Sequence, residues 1–239
     1  MTGNAVFGNP SIQKMFAMGF GIEIVYSFVI IICSLMIYFG TKEIYELSSH
    51  KGIKYFRLAF LFFAFAYFFR VFIKLLVSYF NVQGILALPS RIFNPMVGSI
   101  TLLFFMYFSA MAIFYLLYSV LWKRLEGNKF YLFHLGAVAL AFFSIFSTNP
   151  FSYLGMNLFL LFFVIALVFV SYRDSKKQAK SRSHNLYVVY LLLLFFWIFN
   201  IINILLPKFL NSFQLLIYLS SLGVFLLISY KVLRKTGAS

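Results

Sequence analysis

The chain has 239 residues, of which 63% are hydrophobic and 10% are charged, and its mean hydropathy is +0.96. Soluble domains are usually about 45–50% apolar and about 25% charged, so this composition excludes a soluble protein. It predicts an integral membrane protein in which residues 1–239 form a single transmembrane domain.

Seven apolar segments are long enough to cross a bilayer as helices. A spanning helix needs roughly 20 mostly apolar residues, and the runs lack the alternation that is typical of transmembrane strands. The expected fold class is therefore all-α, a polytopic seven-transmembrane-helix bundle. Its predicted spans cover residues of about 20–41, 54–80, 97–122, 130–148, 152–172, 186–206 and 210–231.

Apart from Lys54 and Arg57 at the start of span 2, three charged residues lie inside the first two spans. Span 1 contains Glu23, and span 2 contains Arg70 and Lys74 one helical turn apart. At a rise of about 1.5 Å per residue, Arg70 lies about 4–5 Å from the midplane and Glu23 and Lys74 about 10 Å from it, all on one side. An Arg near the centre of a span costs about 2.5–3.5 kcal/mol, so we expect Glu23 to pair with Lys74 or Arg70.

Basic residues outside the spans alternate sharply between the two sides of the membrane. Fifteen of the 20 Lys and Arg residues follow spans 1, 3, 5 or 7, against three on the opposite side, Lys14, Arg91 and Lys208. Short cytoplasmic loops collect Lys and Arg, so we expect the N-terminus outside and the C-terminus inside a cell membrane. The net charge of +15 is then a topology signal. The predicted partners are anionic lipid headgroups or a signalling chain at the basic loops, and no nucleic acid.

Span 6 carries Asn200 and Asn203, which share a helix face because they are three residues apart. Other polar residues at a similar depth are Tyr26, Ser27, Asn157 and Gln214. Two interpretations stay open: a structural ion pair with hydrogen-bonded asparagines, or an outward-facing pocket for an anion, a carboxylate or a lipid headgroup. Two cations against one acid favour the anionic ligand. The candidate ligand-binding residues are Glu23, Arg70, Lys74, Asn200 and Asn203.

Residues that support catalysis or cofactor binding are scarce. The sequence contains no HExxH or GxSxG motif and no paired carboxylates within the spans. The single Cys33 excludes a disulfide framework, and His134 is interpreted as an interfacial residue. Span 7 has no lysine near its middle, which a retinal pigment would need. We therefore expect no enzyme, no catalytic residue, no metal site and no cofactor.

One stretch resembles a known family. The segment "YELSSHKGIKYFRLAFLFFAFAYFFRVF" (45–72) is similar to the first cytoplasmic loop and second span of the seven-helix sensor modules at the N-terminus of prokaryotic histidine kinases and related signalling proteins. The likeness covers spans 1 and 2, the span count and the orientation. Those modules are usually followed by a kinase or cyclase domain, whereas this chain ends shortly after span 7. The resemblance therefore implies a freestanding module that signals through another chain.

The predicted function is a sensor or receptor-like module that binds a small anionic or lipidic ligand in an outward-facing pocket. Two alternatives stay open: a small transporter or channel for such a solute with Arg70 in its path, and an accessory subunit of a membrane complex. A continuous polar path through the inner half would favour transport. A pocket that ends within the membrane would favour sensing, and a dry, fully paired core would favour the accessory role.

Overall fold

The protein is described by a computed structural model that covers residues 10–79, 89–122, 130–146, 150–177, 183–205 and 211–236. These residues form helices and contain no strand, so the predicted all-helical fold is confirmed. Seven long helices correspond to the seven predicted spans, and one short helix lies between the first two. In chain order they are α1 (Pro10–Gly40), α2 (Lys42–Ser48), α3 (Lys51–Tyr79), α4 (Ser90–Leu121), α5 (Phe130–Phe146), α6 (Pro150–Lys177), α7 (Ser183–Leu205) and α8 (Asn211–Thr236).

Within the described residues, six of these helices are long and apolar enough to cross a membrane. The exception is α5, whose 17 residues span about 26 Å against a hydrocarbon core of about 30 Å. Large apolar side chains cover the outer surface, including Phe28, Phe162 and Leu219, which are each more than 60% exposed. A surface of this kind is stable in contact with lipid and not in water, so the chain is a multi-pass membrane helix bundle.

Six helices close into a ring, and the seventh long helix packs outside it. Along the ring, α1 contacts α3, α3 contacts α4, α4 contacts α6, α6 contacts α7, α7 contacts α8, and α8 returns to α1. Helix α5 packs mainly against α4 and only lightly against α6. One continuous core of buried side chains fills the ring.

The two ends of the bundle are called the N-side, where α1 begins, and the C-side, where α1 ends. Contacts between helix ends establish an alternating direction along the chain. At the C-side, Arg57 near the start of α3 donates to the carbonyl of Tyr38 near the end of α1, at 3.0 Å. In the same way Ser119 near the end of α4 lies 3.2 Å from the Tyr190 hydroxyl near the start of α7.

Several helices extend beyond the predicted spans, and the largest difference is at the start of α1. Helix α1 begins at Pro10 and not near residue 20, because a hydropathy window finds only the part of a helix that lies in hydrocarbon. The connection after α1 contains the short helix α2, which ends at Ser49 in a left-handed conformation (φ 49°) that is typical of a helix C-cap. A Cβ at Gly52 would lie 2.8 Å from the Ser119 carbonyl, so the close approach of α3 to α4 requires glycine there.

Candidate functional site

The N-side interior of the ring is built in three layers, each with one residue from α1, α3, α7 and α8. The first two layers are three residues apart on every helix, about 4.5 Å, and the second and third are four residues apart, about 6 Å. The ion-pair layer consists of Glu23, Arg70, Asn203 and Tyr218, the hydroxyl layer of Tyr26, Tyr67, Asn200 and Ser221, and the phenylalanine layer of Ile30, Phe63, Phe196 and Phe225.

The ion-pair layer joins α1 to α3 through a charge-assisted hydrogen bond. Arg70 Nε donates to Glu23 Oε1 at 2.7 Å, and the two side chains are 22% and 13% exposed. The Arg70 guanidinium carbon also lies 5.2 Å from the centre of the Phe105 ring on α4, a cation–π contact worth about 0.5–2 kcal/mol. Arg70 is therefore held in place while the pair keeps partial access from outside the core.

The hydroxyl layer links the four helices by hydrogen bonds between side chains. The hydroxyl oxygens of Tyr26 and Ser221 are hydrogen-bonded at 2.8 Å, and the Tyr67 hydroxyl donates to Asn200 Oδ1 at 3.4 Å. The Tyr26 and Tyr67 rings meet edge to face at 5.8 Å. A ring contact of 4.9 Å between Tyr26 and Tyr218 connects this layer to the ion-pair layer.

The phenylalanine layer closes the interior beneath the polar layers. Phe63, Phe196 and Phe225 contact one another with ring centres 5.0 to 6.5 Å apart, and each is at most 2% exposed. Phe60 adds a fourth buried ring one turn further toward the C-side, 6.1 Å from Phe63. Close-packed aromatic rings leave no room for a hydrated solute, so the polar site ends within the membrane.

Two buried polar atoms near these layers have no hydrogen-bond partner among the described residues, Ser27 Oγ and Asn203 Oδ1. A third such atom, Ser34 Oγ, lies two helical turns further along α1. Asn203 donates through Nδ2 to the Tyr218 hydroxyl at 3.2 Å, so its amide is held while its oxygen keeps the capacity to accept. Buried polar atoms usually have a partner, which can be water or a ligand.

Four of the five predicted site residues are brought together by the fold. Glu23 pairs with Arg70, one of the two partners that the sequence left open. Asn200 and Asn203 face the same interior but belong to successive layers. The Lys74 side chain lies outside the described residues.

Sequence reasoning missed Tyr67, Tyr218 and Ser221, because these side chains are common throughout the chain, which has 16 tyrosines. Tyr67 lies three residues from Arg70 on α3, and Tyr218 and Ser221 lie three residues apart on α8. This helical spacing is a signal that could have identified them.

Asn157 was noted in the sequence only for its depth in the membrane. Its side chain donates to the Tyr153 carbonyl at 2.8 Å, and its own carbonyl accepts from Trp197 Nε1 at 3.1 Å, which joins α6 to α7.

Two grooves open between helices on the outer surface of the bundle. The α5/α6 groove has a volume of about 660 Å³ and is lined by apolar side chains such as Leu132, Phe143 and Phe159, with Phe114 of α4 behind them. The α1/α8 groove has a volume of about 280 Å³ and lies beside the polar layers. Its lining consists of Gly21, Ile22, Val25 and Tyr26 on α1 and Leu215, Tyr218, Leu219 and Leu222 on α8.

Comparison with known proteins gives one informative relative. The chain is 34% identical over 224 residues to an uncharacterised protein from Archaeoglobus fulgidus, and the alignment covers 89% of this chain and 92% of that protein. The chain belongs to the same family as this archaeal protein. No family model matches the chain, and no solved structure matches it.

Proposed function

We propose that this family member is a sensor or receptor-like membrane module that binds a small anionic or lipidic ligand at the ion-pair layer. The observation that carries the proposal is an ion pair whose side chains are 22% and 13% exposed, with the packed phenylalanine layer on its C-side. A transporter needs a route to the opposite side, and close-packed rings obstruct it here. Two groups can recognise such a ligand. Arg70 is held in place by Glu23, and Asn203 Oδ1 is an acceptor with no hydrogen-bond partner among the described residues.

The proposal includes an orientation in a cell membrane, with the N-side outward and the C-side in the cytoplasm. Its support is the excess of Lys and Arg in the segments that follow spans 1, 3, 5 and 7 in the sequence, fifteen of 20 basic residues. In this orientation the ion-pair layer faces the exterior. The basic C-side then contacts the signalling partner, as the resemblance to histidine-kinase sensor modules implies.

Ligand binding and transport are tested together in purified full-length protein. Melting temperature is measured with acetate and with phosphate, and flux of the same anions is measured in proteoliposomes. We expect stabilisation without flux. The Glu23→Leu/Arg70→Leu double variant removes the cation together with its partner, so it is expected to fold and to lose the stabilisation. Arg173→Ala changes an exposed arginine at the C-side, so this variant should still be stabilised by the anions.

Each other outcome contradicts the proposal in a defined way. Flux that depends on Arg70 would make the protein a transporter. If neither anion stabilises the protein and neither crosses the membrane, the site has no soluble anionic ligand of this kind. The Glu23–Arg70 pair would then be structural, as expected for an accessory subunit.

A further inference from the structure

We infer that the ligand is a single-chain amphiphile with an anionic headgroup, which enters sideways from the lipid through the α1/α8 groove. This inference rests on the proposed function and names the class of ligand and its route. The headgroup reaches the ion-pair layer, and the acyl chain occupies the groove. The carboxylate of a fatty acid is the simplest headgroup with this chemistry.

The groove opens to the lipid and leads inward to polar groups. Val25 and Leu219 on its two walls are 62% and 61% exposed, whereas Tyr26 at its base is 2% exposed. A ligand chain that lies against Val25 and Leu219 is therefore continuous with the bilayer. The polar end of the ligand then meets Tyr26 of the hydroxyl layer and Tyr218 of the ion-pair layer, which both line the groove.

Charge and hydrogen-bonding capacity at the inner end fit an anion. Tyr218 lines the groove and belongs to the same layer as Arg70, where its hydroxyl accepts from Asn203 Nδ2 at 3.2 Å. Arg70 uses Nε for Glu23, and a guanidinium carries four further N–H donors on its terminal nitrogens. These donors and the Tyr218 hydroxyl can bind a carboxylate, and the Asn203 Oδ1 acceptor can take a protonated or hydroxyl-bearing part of a headgroup.

The size of the groove selects one chain. Its volume of about 280 Å³ is near the lower end of ligand pockets, which measure roughly 300–1,000 Å³. Tyr26 and Tyr218 line the α1/α8 groove, whereas the larger α5/α6 groove is lined only by Phe, Leu, Gly and Ala residues. The larger groove can therefore take bulk lipid but offers no polar side chain to a headgroup. It serves as an internal comparison for specific binding.

Gly21 allows the groove to be filled without disturbing the layers. A Cβ built at Gly21 meets no atom within 4 Å, and the same is true of Gly155, an exposed residue of α6. Gly21→Phe therefore places a ring in the α1/α8 groove. Gly155→Phe is the matched control, because it makes the same change on another lipid-facing helix.

The test uses the full-length protein in phosphatidylcholine nanodiscs with a photoreactive palmitate and the matching fatty alcohol as probes. We expect palmitate to label peptides containing residues 21–25 and 215–222, more strongly than the alcohol. Gly21→Phe should reduce this labelling about tenfold, which corresponds to about 1.4 kcal/mol of binding free energy, and Gly155→Phe should leave it unchanged. Glu23→Leu/Arg70→Leu should abolish the preference for palmitate over the alcohol.

The inference is overturned if labelling of the α1/α8 groove equals that of the α5/α6 groove, or if Gly21→Phe leaves it unchanged. The melting experiment separates this failure from failure of the proposed function. If acetate or phosphate stabilises wild type and Gly21→Phe alike, the anionic site stands and only the lateral route and acyl chain are wrong. If these anions stabilise neither protein and labelling is also unselective, both proposals fail.

Discussion

The N-side and C-side halves of the bundle interior are built from the same ring of helices, yet they hold different chemistry. The N-side half contains the Glu23–Arg70 pair and a hydroxyl layer that spans four helices. Toward the C-side, packed rings such as Phe60, Phe196 and Phe225 take over. Membrane helices associate through packing as well as through hydrogen bonds, and at the level of Phe60, Phe196 and Phe225 the ring is held by packed side chains. Our proposal assigns the polar layers to ligand binding, and the following variants test whether they serve the fold instead.

The largest effect is expected from breaking the ion pair. Arg70→Leu leaves the Glu23 carboxylate in a largely buried position, which should cost about 3–5 kcal/mol of unfolding free energy. Glu23→Leu/Arg70→Leu should recover most of this loss because no uncompensated charge remains. Unfolding by SDS titration in mixed micelles measures both values.

An exposed ion pair at the C-side provides the control. Lys42 and Glu46 lie 3.6 Å apart with side chains 60% and 58% exposed, so Lys42→Ala should cost about 0.3–0.5 kcal/mol. A double variant at the ion-pair layer that is as unstable as Arg70→Leu would contradict our comparison. The pair would then be required for the fold itself.

A smaller effect is expected from the phenylalanine layer. Phe196→Ala opens a cavity among fully buried rings, and at about 24 cal/mol per Å³ of cavity this should cost about 2 kcal/mol. The transfer contribution is small because the unfolded helices remain in lipid. SDS titration gives the value, with Phe162→Ala on the lipid-facing surface of α6 as control. Equal costs for the two variants would mean that the layer is not a packed barrier.

Among the buried sites, the smallest effects are expected from two matched tyrosine–serine pairs. The Tyr26 and Ser221 hydroxyls lie 2.8 Å apart at the N-side, and those of Tyr190 and Ser119 lie 3.2 Å apart at the C-side. Tyr26→Phe and Tyr190→Phe should each cost about 0.6 kcal/mol, the average for a hydrogen bond between membrane helices. Only Tyr26→Phe should weaken stabilisation by acetate, because Tyr26 borders the ion-pair layer.

Thermal melting with and without acetate measures this difference. A cost for Tyr26→Phe well above that for Tyr190→Phe would assign the hydroxyl layer to stability. Equal loss of acetate stabilisation in both variants would remove the distinction between the two halves of the bundle.

Composition and hydropathy alone determined that this chain is an all-helical membrane protein with seven apolar helices, of which six are long enough to cross a membrane within the described residues. Lipid provides no hydrogen-bond partners for the backbone, so a long apolar run must form a helix whatever its neighbours are. The same reasoning identified Glu23, Arg70, Asn200 and Asn203, because an ionisable or amide side chain at membrane depth is costly and therefore conspicuous.

Only the tertiary structure decided which of these residues meet and where the polar region ends. The pairing of Glu23 with Arg70, and the layers on α1, α3, α7 and α8, depend on how the helices are ordered and rotated about their axes. A lipid-facing and a ring-facing surface can be equally apolar, so hydropathy cannot fix that rotation. The rotation of the helices places Tyr67 and Tyr218 in the site and forms the phenylalanine layer beneath them.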